Sequence, residues 1–346
     1  MTTTRVVLPG VVDPEGLRLE QVDLPAPTTG QVLVAVEASG ISYAEQQMRR
    51  GRYYDQPAFP FTPGYDLVGT VVDLGPGTPA GLLGQRVAAM TKTGGWATHA
   101  LAPAEDLVPV PAGVDPAEAS TLVVNGITAW SMLHRSAKVR AGQTVLVHGA
   151  NGGVGTVLAQ LARDAGARVI GTASPRHHDA LRDLGVEPVD YRGDVEAQVR
   201  ALAPDGVDAV FDHVGGAGLF ASHRLLRRGG TLVSYGTAAT RDGSGSPTWP
   251  ILKLMARLAW WNVRPDGRRA TFFNVWAGRR NPARFQARIR EDLGNVFARL
   301  ADGRLTTHVA ATFPLEEIVE AMRLAESRTI VGKVVLLPRG GGSAGR

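Results

Sequence analysis

Thr144-Val145-Leu146-Val147-His148-Gly149-Ala150-Asn151-Gly152-Gly153-Val154-Gly155 is the stretch on which the reading of this chain turns. The apolar run 145–147 has the length and branched side chains of a buried strand, and a helical pattern opens at Val154. Between them Gly149, Asn151, Gly152, Gly153, Val154 and Gly155 let the backbone turn sharply and approach a pyrophosphate, whose charge then faces the helix N-terminus. A bare glycine triplet is weak, and an ordinary glycine-rich loop is the competing reading. Strand, turn, helix and second strand follow one another here in the order a dinucleotide-binding turn requires.

The end of the second strand bears on cofactor choice. A site for NAD usually carries Asp or Glu about 20 residues past the turn, to hold the ribose hydroxyls. This chain reads Gly171-Thr172-Ala173-Ser174-Pro175-Arg176-His177-His178 instead. No carboxylate is present to repel a 2′-phosphate, and Ser174 and Arg176 can bind one. NADPH is the expected cofactor; the plainer alternative is that Arg176 is a solvated helix-start residue.

On either side of the turn the chain changes character. Residues 1 to about 120 read as short β segments punctuated by Gly and Pro, which predicts a β-rich domain. Past Asp115-Pro116 strands alternate with helices, the signature of a parallel sheet. Predicted strands are 144–148, 168–172, 207–212 and 230–235; predicted helices are 154–165, 177–184, 195–202 and 217–226. Asp242 to Pro247 reads as a loop, 282–301 as a helix, 333–337 as a closing strand, and the tail Gly340 to Arg346 as disordered. The fold expected is α/β, with residues 122–275 forming the cofactor domain and residues 1–121 with 276–346 the β-rich one.

Composition narrows the function classes. The 346 residues include no cysteine, which excludes disulfides, a cysteine nucleophile and cysteine-bearing metal sites, and fits a cytoplasmic protein. The first ten residues lack the basic-then-apolar pattern of a signal peptide, and no apolar run is long enough to span a bilayer. The net charge of +5 is carried almost wholly by arginines scattered among acids. They form no basic stripe and no nucleic-acid motif, so attraction of an anionic cofactor is the better use of the excess.

Ala38-Ser39-Gly40-Ile41, Phe61-Thr62-Pro63-Gly64-Tyr65-Asp66-Leu67-Val68-Gly69, Gly84-Gln85-Arg86-Val87, Gly94-Gly95-Trp96-Ala97, the glycine-rich turn and Val331-Gly332-Lys333-Val334-Val335 occur in that order. On these segments the chain resembles the medium-chain dehydrogenase/reductase superfamily over nearly its whole length. Within it the match is similar to the zinc-free quinone oxidoreductase branch, and Ala259-Trp260-Trp261-Asn262 is similar to the vesicle amine transport protein-like members. The resemblance implies a GroES-like β-rich catalytic domain and a Rossmann domain, a doubly wound parallel sheet, for the cofactor. It also implies that Thr128, Tyr191, Gly236, Phe273, Val275 and Lys333 line the cofactor. Zinc-dependent relatives hold their catalytic metal through Cys, His and Cys; the matching positions here are Ser42, Tyr65 and Asn125, none a good zinc ligand. No metal is therefore expected.

The reaction class implied is hydride transfer to an already activated acceptor, a quinone or an α,β-unsaturated carbonyl. Tyr53 resembles the active-site tyrosine of related enoyl reductases, and a phenol can donate a hydrogen bond to a developing enolate oxygen. A tyrosine that only lines the pocket is the alternative. Ser42 and Glu45 stand where many relatives have Asn and Asp, so water or ribose contacts stay open beside a structural role. Tyr43, Tyr65, Trp96 and Asn125 are expected around the substrate, and His148 as a packed, hydrogen-bonded residue. The tryptophan-rich arm 249–261 has three open readings: ordinary core, a lid or homodimer surface, or peripheral contact with lipid. Two alternatives to the general reductase are kept, a pathway-dedicated enoyl reductase such as one in polyketide tailoring, and an NADPH-binding scaffold or membrane-associated adaptor with little turnover.

Overall fold

The structure is a computed structural model, and it describes residues 1–236, 248–327 and 329–338. The expected loop Asp242 to Pro247 and the tail Gly340 to Arg346 lie outside the described residues. Two compact units divide the chain, Met1–Ile127 with Arg280–Arg346, and Thr128–Arg279. The divisions fall a few residues further along than 121 and 275. The early turns of α2 (Pro116–Trp130) stay with the first unit because Gly126 leaves no room for a side chain against Val296 of α8 (Pro282–Ala301).

The first unit is built mainly on antiparallel strands. A hairpin of β1 (Thr2–Val7) and β2 (Arg18–Asp23) stands beside a seven-stranded sheet. Its members are β3 (Gln31–Gly40), β4 (Asp66–Leu74), β5 (Arg86–Met90), β6 (His99–Pro103), β7 (Val108–Pro109), β14 (Val309–Pro314) and β15 (Lys333–Leu337). The order is β14-β15-β3-β4-β5-β7, with β6 pairing β3. Val32, Val34 and Val36 of β3 share one face and pack with Leu67, Val71, Val87 and Ala89; Leu33 and Ala35 between them are buried as well, so the strand is covered on both faces. A short helix α1 (Tyr43–Arg49) follows β3. It is pinned to α9 (Ile318–Glu326) by Arg49, whose Nη2 lies 2.8 Å from Glu326, and by Arg50 at 2.9 Å.

The second unit is a six-stranded, wholly parallel sheet: β8 (Thr144–Val147), β9 (Arg168–Ala173), β10 (Glu187–Asp190), β11 (Val207–Asp212), β12 (Leu226–Ser234) and β13 (Arg269–Phe272). Their order is β10-β9-β8-β11-β12-β13. Counted from β8 this is 3-2-1-4-5-6, the doubly wound dinucleotide-binding order, and its switch point lies between β8 and β11. Helices α3 (Gly153–Asp164), α4 (His178–Asp183), α5 (Val195–Leu202) and α6 (Gly218–Arg224) follow β8, β9, β10 and β11. Leu146, Ile170, Val189, Val210 and Leu232 form the core together with Leu254, Leu258 and Trp261 of α7 (Thr248–Asn262). β10 and β13 were not anticipated, because each is only four residues long and neither shows a continuous branched run; parallel pairing with a neighbour makes them strands.

Candidate functional site

Each unit presents its own set of chemistry-bearing residues. In the second unit they collect at the carboxyl ends of the parallel strands. The glycine-rich turn follows β8, Ser174 and Arg176 follow β9, Tyr191 follows β10, Gly236 follows β12, and Phe273 and Val275 follow β13. A parallel sheet puts all those ends on one edge, which is why positions spread over more than a hundred residues of sequence converge. Thr128 belongs to this unit too, buried on α2.

The turn has the shape of an anion cradle. Gly149 has φ +62°, a conformation a side chain resists, and a β-carbon there would strike the His213 ring. A β-carbon on Gly155 would collide with the Gly149 carbonyl, so only glycine allows the helix to start this close to the turn. Ala150 N–H donates to Thr172 O at 3.0 Å and Gly152 N–H to Gly149 O at 2.9 Å. In α3 the first-turn amides of Gly153, Val154 and Gly155 lack intrahelical acceptors and point outward from the N-terminus. At the end of β9 the Ser174 hydroxyl is buried without a hydrogen-bond partner. Arg176 Nε donates to His177 Nε2 at 3.1 Å, and Tyr191, 59% exposed, joins its N–H to Ala173 O. A cradle that a β-carbon would fill and a buried, unpartnered hydroxyl just after β9 fit a phosphorylated dinucleotide.

In the first unit the site is organised by a buried carboxyl. Glu45 on α1 accepts the N–H of Ser42 at 2.9 Å and the N–H of Tyr65 at 2.7 Å, tying the start of the helix to the start of β4. Burial pushes its carboxyl up to about 7; Lys333 opposes that shift and Asp66 adds to it. The Tyr65 and Tyr53 hydroxyls meet in a hydrogen bond, their rings edge-on at 84°. Burial, and then Tyr65, hold the Tyr53 phenol far above its ordinary range, so it keeps its proton. Asn125 is buried on α2, and Tyr43 is exposed. Among the described residues no group of three or more His, Asp or Glu side chains could hold a metal ion.

One expectation is corrected. Trp96 does not shape an open mouth. It is 0% exposed, and its indole N–H donates to Gly40 O at 3.2 Å, because the Gly64 turn packs directly against the 95–96 backbone. Lys333, expected along the cofactor, is only 4% exposed. Its ammonium lies 2.6 Å from Asp66 Oδ2 and 3.4 Å from Ser120 O, inside the first unit. Asp66 also accepts Gly40 N–H at 2.8 Å and the Ser120 hydroxyl at 3.2 Å. This ion pair was missed, although a lone acid opening Asp66-Leu67-Val68 and a lone base opening Lys333-Val334-Val335 are the signals that announce it: a charge in an apolar strand requires a partner.

The GroES-like sheet, the 3-2-1-4-5-6 parallel sheet and the turn at its switch point define a two-domain dehydrogenase/reductase. Residues 28–112 match the alcohol dehydrogenase GroES-like domain family, and residues 184–336 match a zinc-binding dehydrogenase family. The human synaptic vesicle membrane protein VAT-1 homolog is 32% identical over 91% of this chain and 80% of its own. The chain belongs to the medium-chain dehydrogenase/reductase superfamily, among its quinone oxidoreductase-like members. Two solved mycobacterial structures share the fold over 97% of this chain and all of theirs. One is a quinone oxidoreductase (30% identity, TM-score 0.81), the other a complex with NADPH (29% identity, TM-score 0.82).

Proposed function

We propose that the protein is an NADPH-dependent, zinc-independent reductase of quinones or α,β-unsaturated carbonyls. The observation that carries this reading is the Tyr53–Tyr65 phenol pair, with Tyr65 standing at a position where zinc-dependent relatives have a metal ligand. Serine, tyrosine and asparagine at the three ligand positions are poor partners for zinc. Tyr65 uses its backbone N–H on Glu45 and its hydroxyl on Tyr53, which is the work of a hydrogen-bonding site. NADPH, when bound, supplies the hydride. Tyr53, protonated throughout the working pH range, donates a hydrogen bond to the carbonyl oxygen as negative charge gathers there. Ser174, Arg176 and the absence of a carboxylate between 172 and 178 support NADPH over NADH, as does the NADPH complex of the mycobacterial relative.

A second reading, a nucleotide-binding scaffold with little turnover, is favoured by one feature. Leu252, Met255, Trp260 and Val263 lie exposed along α7 and just past its end, the other face of the helix being core. One experiment separates the two. The full chain is mixed with NADPH and either 9,10-phenanthrenequinone or a panel of enones, and loss of nicotinamide absorbance is followed. Turnover that survives a chelator supports the reductase. Tyr53→Phe is expected to lower kcat on an enone by about a hundredfold while leaving NADPH affinity unchanged. An unchanged rate removes Tyr53 from the chemistry, and tight NADPH binding with every acceptor left intact overturns the enzyme reading in favour of the scaffold.

A further inference from the structure

A chain of side chains crosses the sheet beneath the glycine-rich turn. Gly149 N–H donates to Thr172 Oγ1 at 3.0 Å, and Thr172 Oγ1 lies 3.4 Å from His148 Nδ1. His148 Nε2 lies 3.0 Å from Ser222 Oγ, which donates to Asp212 Oδ2 at 2.7 Å. The directions follow from the ends. Because the Ser222 proton is committed to the carboxylate, Ser222 can only accept from His148, which places the imidazole proton on Nε2. Nδ1 is then an acceptor, and the Thr172 hydroxyl, already accepting from Gly149, donates to it. Every link runs the same way, from the backbone of the turn to Asp212.

The chain is placed where the nucleotide cradle is made. Thr172 is the penultimate residue of β9, His148 follows β8 and Asp212 ends β11, three strands adjacent in the sheet and flanking its switch point. Thr172, Ser222 and Asp212 are buried, so each missing link would leave an uncompensated polar group. Asp212 Oδ1 also accepts Val214 N–H and Gly215 N–H at 2.8 Å each, which fixes the loop after β11. Thr172 holds two consecutive amides of the turn, Gly149 through its hydroxyl and Ala150 through its carbonyl. Burial holds the His148 ring below the usual histidine range, so it stays neutral and can donate at one nitrogen while accepting at the other.

We propose that His148 is a positioning residue for the nucleotide. It couples the carboxyl ends of β9, β8 and β11 and so holds Gly149, and the pyrophosphate turn that starts there, in the binding geometry. This rests on the NADPH reading above. NADPH and 2′-AMP are titrated into the full-length wild type, His148→Phe, Thr172→Val, the pair, and Thr172→Ser. NADPH reaches the turn, whereas 2′-AMP has no pyrophosphate to place there.

Each single variant is expected to weaken NADPH binding about tenfold, the worth of one fixed hydrogen bond. The pair should cost little more than either alone, because both break the same chain. Thr172→Ser should restore wild-type affinity, and 2′-AMP affinity should not move. NADPH affinity unchanged in both single variants overturns the proposal, as do additive losses or a parallel loss of 2′-AMP. If His148→Phe fails to fold, the contrast between Thr172→Val and Thr172→Ser decides it. A wild type that binds 2′-AMP but not NADPH overturns the cofactor reading itself.

Discussion

Glu45 shows how one residue's environment sets its chemistry. It has the sequence context of an ordinary first-turn helix acid, yet it is enclosed and grips two backbone amides. Its folded value, about 7, lies above the ordinary 4.5. Between those values the folded protein keeps a proton that the unfolded chain has released. The stability this group contributes is therefore present below about 4.5 and is lost as pH rises through 7. Glu45→Gln has no such titration, and glutamine can accept only one of the two amides. The variant should be less stable than wild type, by a margin that is larger near about pH 5 than near about pH 8 by up to ~3 kcal/mol. Urea unfolding at the two pH values measures it; a margin independent of pH would mean that Glu45 is ionised throughout.

At the scale of an element, α7 divides two neighbouring tryptophans that sequence treats alike. Trp261 lies in the core of the second unit, stacked on His223 at 4.2 Å and edge-on to Phe220, while Trp260 is 66% exposed. Trp261→Ala should cost about 3–5 kcal/mol through the cavity it leaves. Trp260→Ser should change unfolding free energy by no more than about 0.5 kcal/mol. Equal losses would mean that Trp260 is covered in solution. From sequence the arm 249–261 admits ordinary core, a lid or homodimer surface, or lipid contact. One helix supplies both a core face and an exposed one, because residues one apart point about 100° away from each other. No helix among the described residues is long and apolar enough to cross a membrane.

At the scale of the whole molecule, Asp66 and Lys333 join positions 267 residues apart. The pair closes the first unit by holding β15 against β3 and β4, and Gly40 leaves the space through which the lysine stem passes. Lys333→Met should cost about 3–5 kcal/mol by leaving Asp66 buried without its countercharge. Adding Asp66→Asn should recover most of the loss, since an amide oxygen can still accept from Gly40 and Ser120. Thermal or urea unfolding of the two single variants and the pair tests the point, and additive losses would contradict it.

The sequence by itself determined the two-domain class and the strand–turn–helix at 144–155, and it pointed to a phosphorylated nucleotide as cofactor. These rest on local signals: a run of branched residues, glycines where a β-carbon cannot fit, and missing acid after β9. The bounds of α8 and β15 were legible for the same reason, α8 from an unbroken amphipathic pattern closed by Asp302-Gly303. Only tertiary structure decided that Lys333 faces Asp66, that Trp96 is core, that Glu45 holds Tyr65 while Tyr65 holds Tyr53, and that His148 is one link in a chain ending on Asp212. Each of those depends on segments apart in sequence lying a few ångströms apart in the fold, and a hydrogen bond exists only where both partners arrive. The glycine-rich turn was visible at once; what holds it in place comes from three strands.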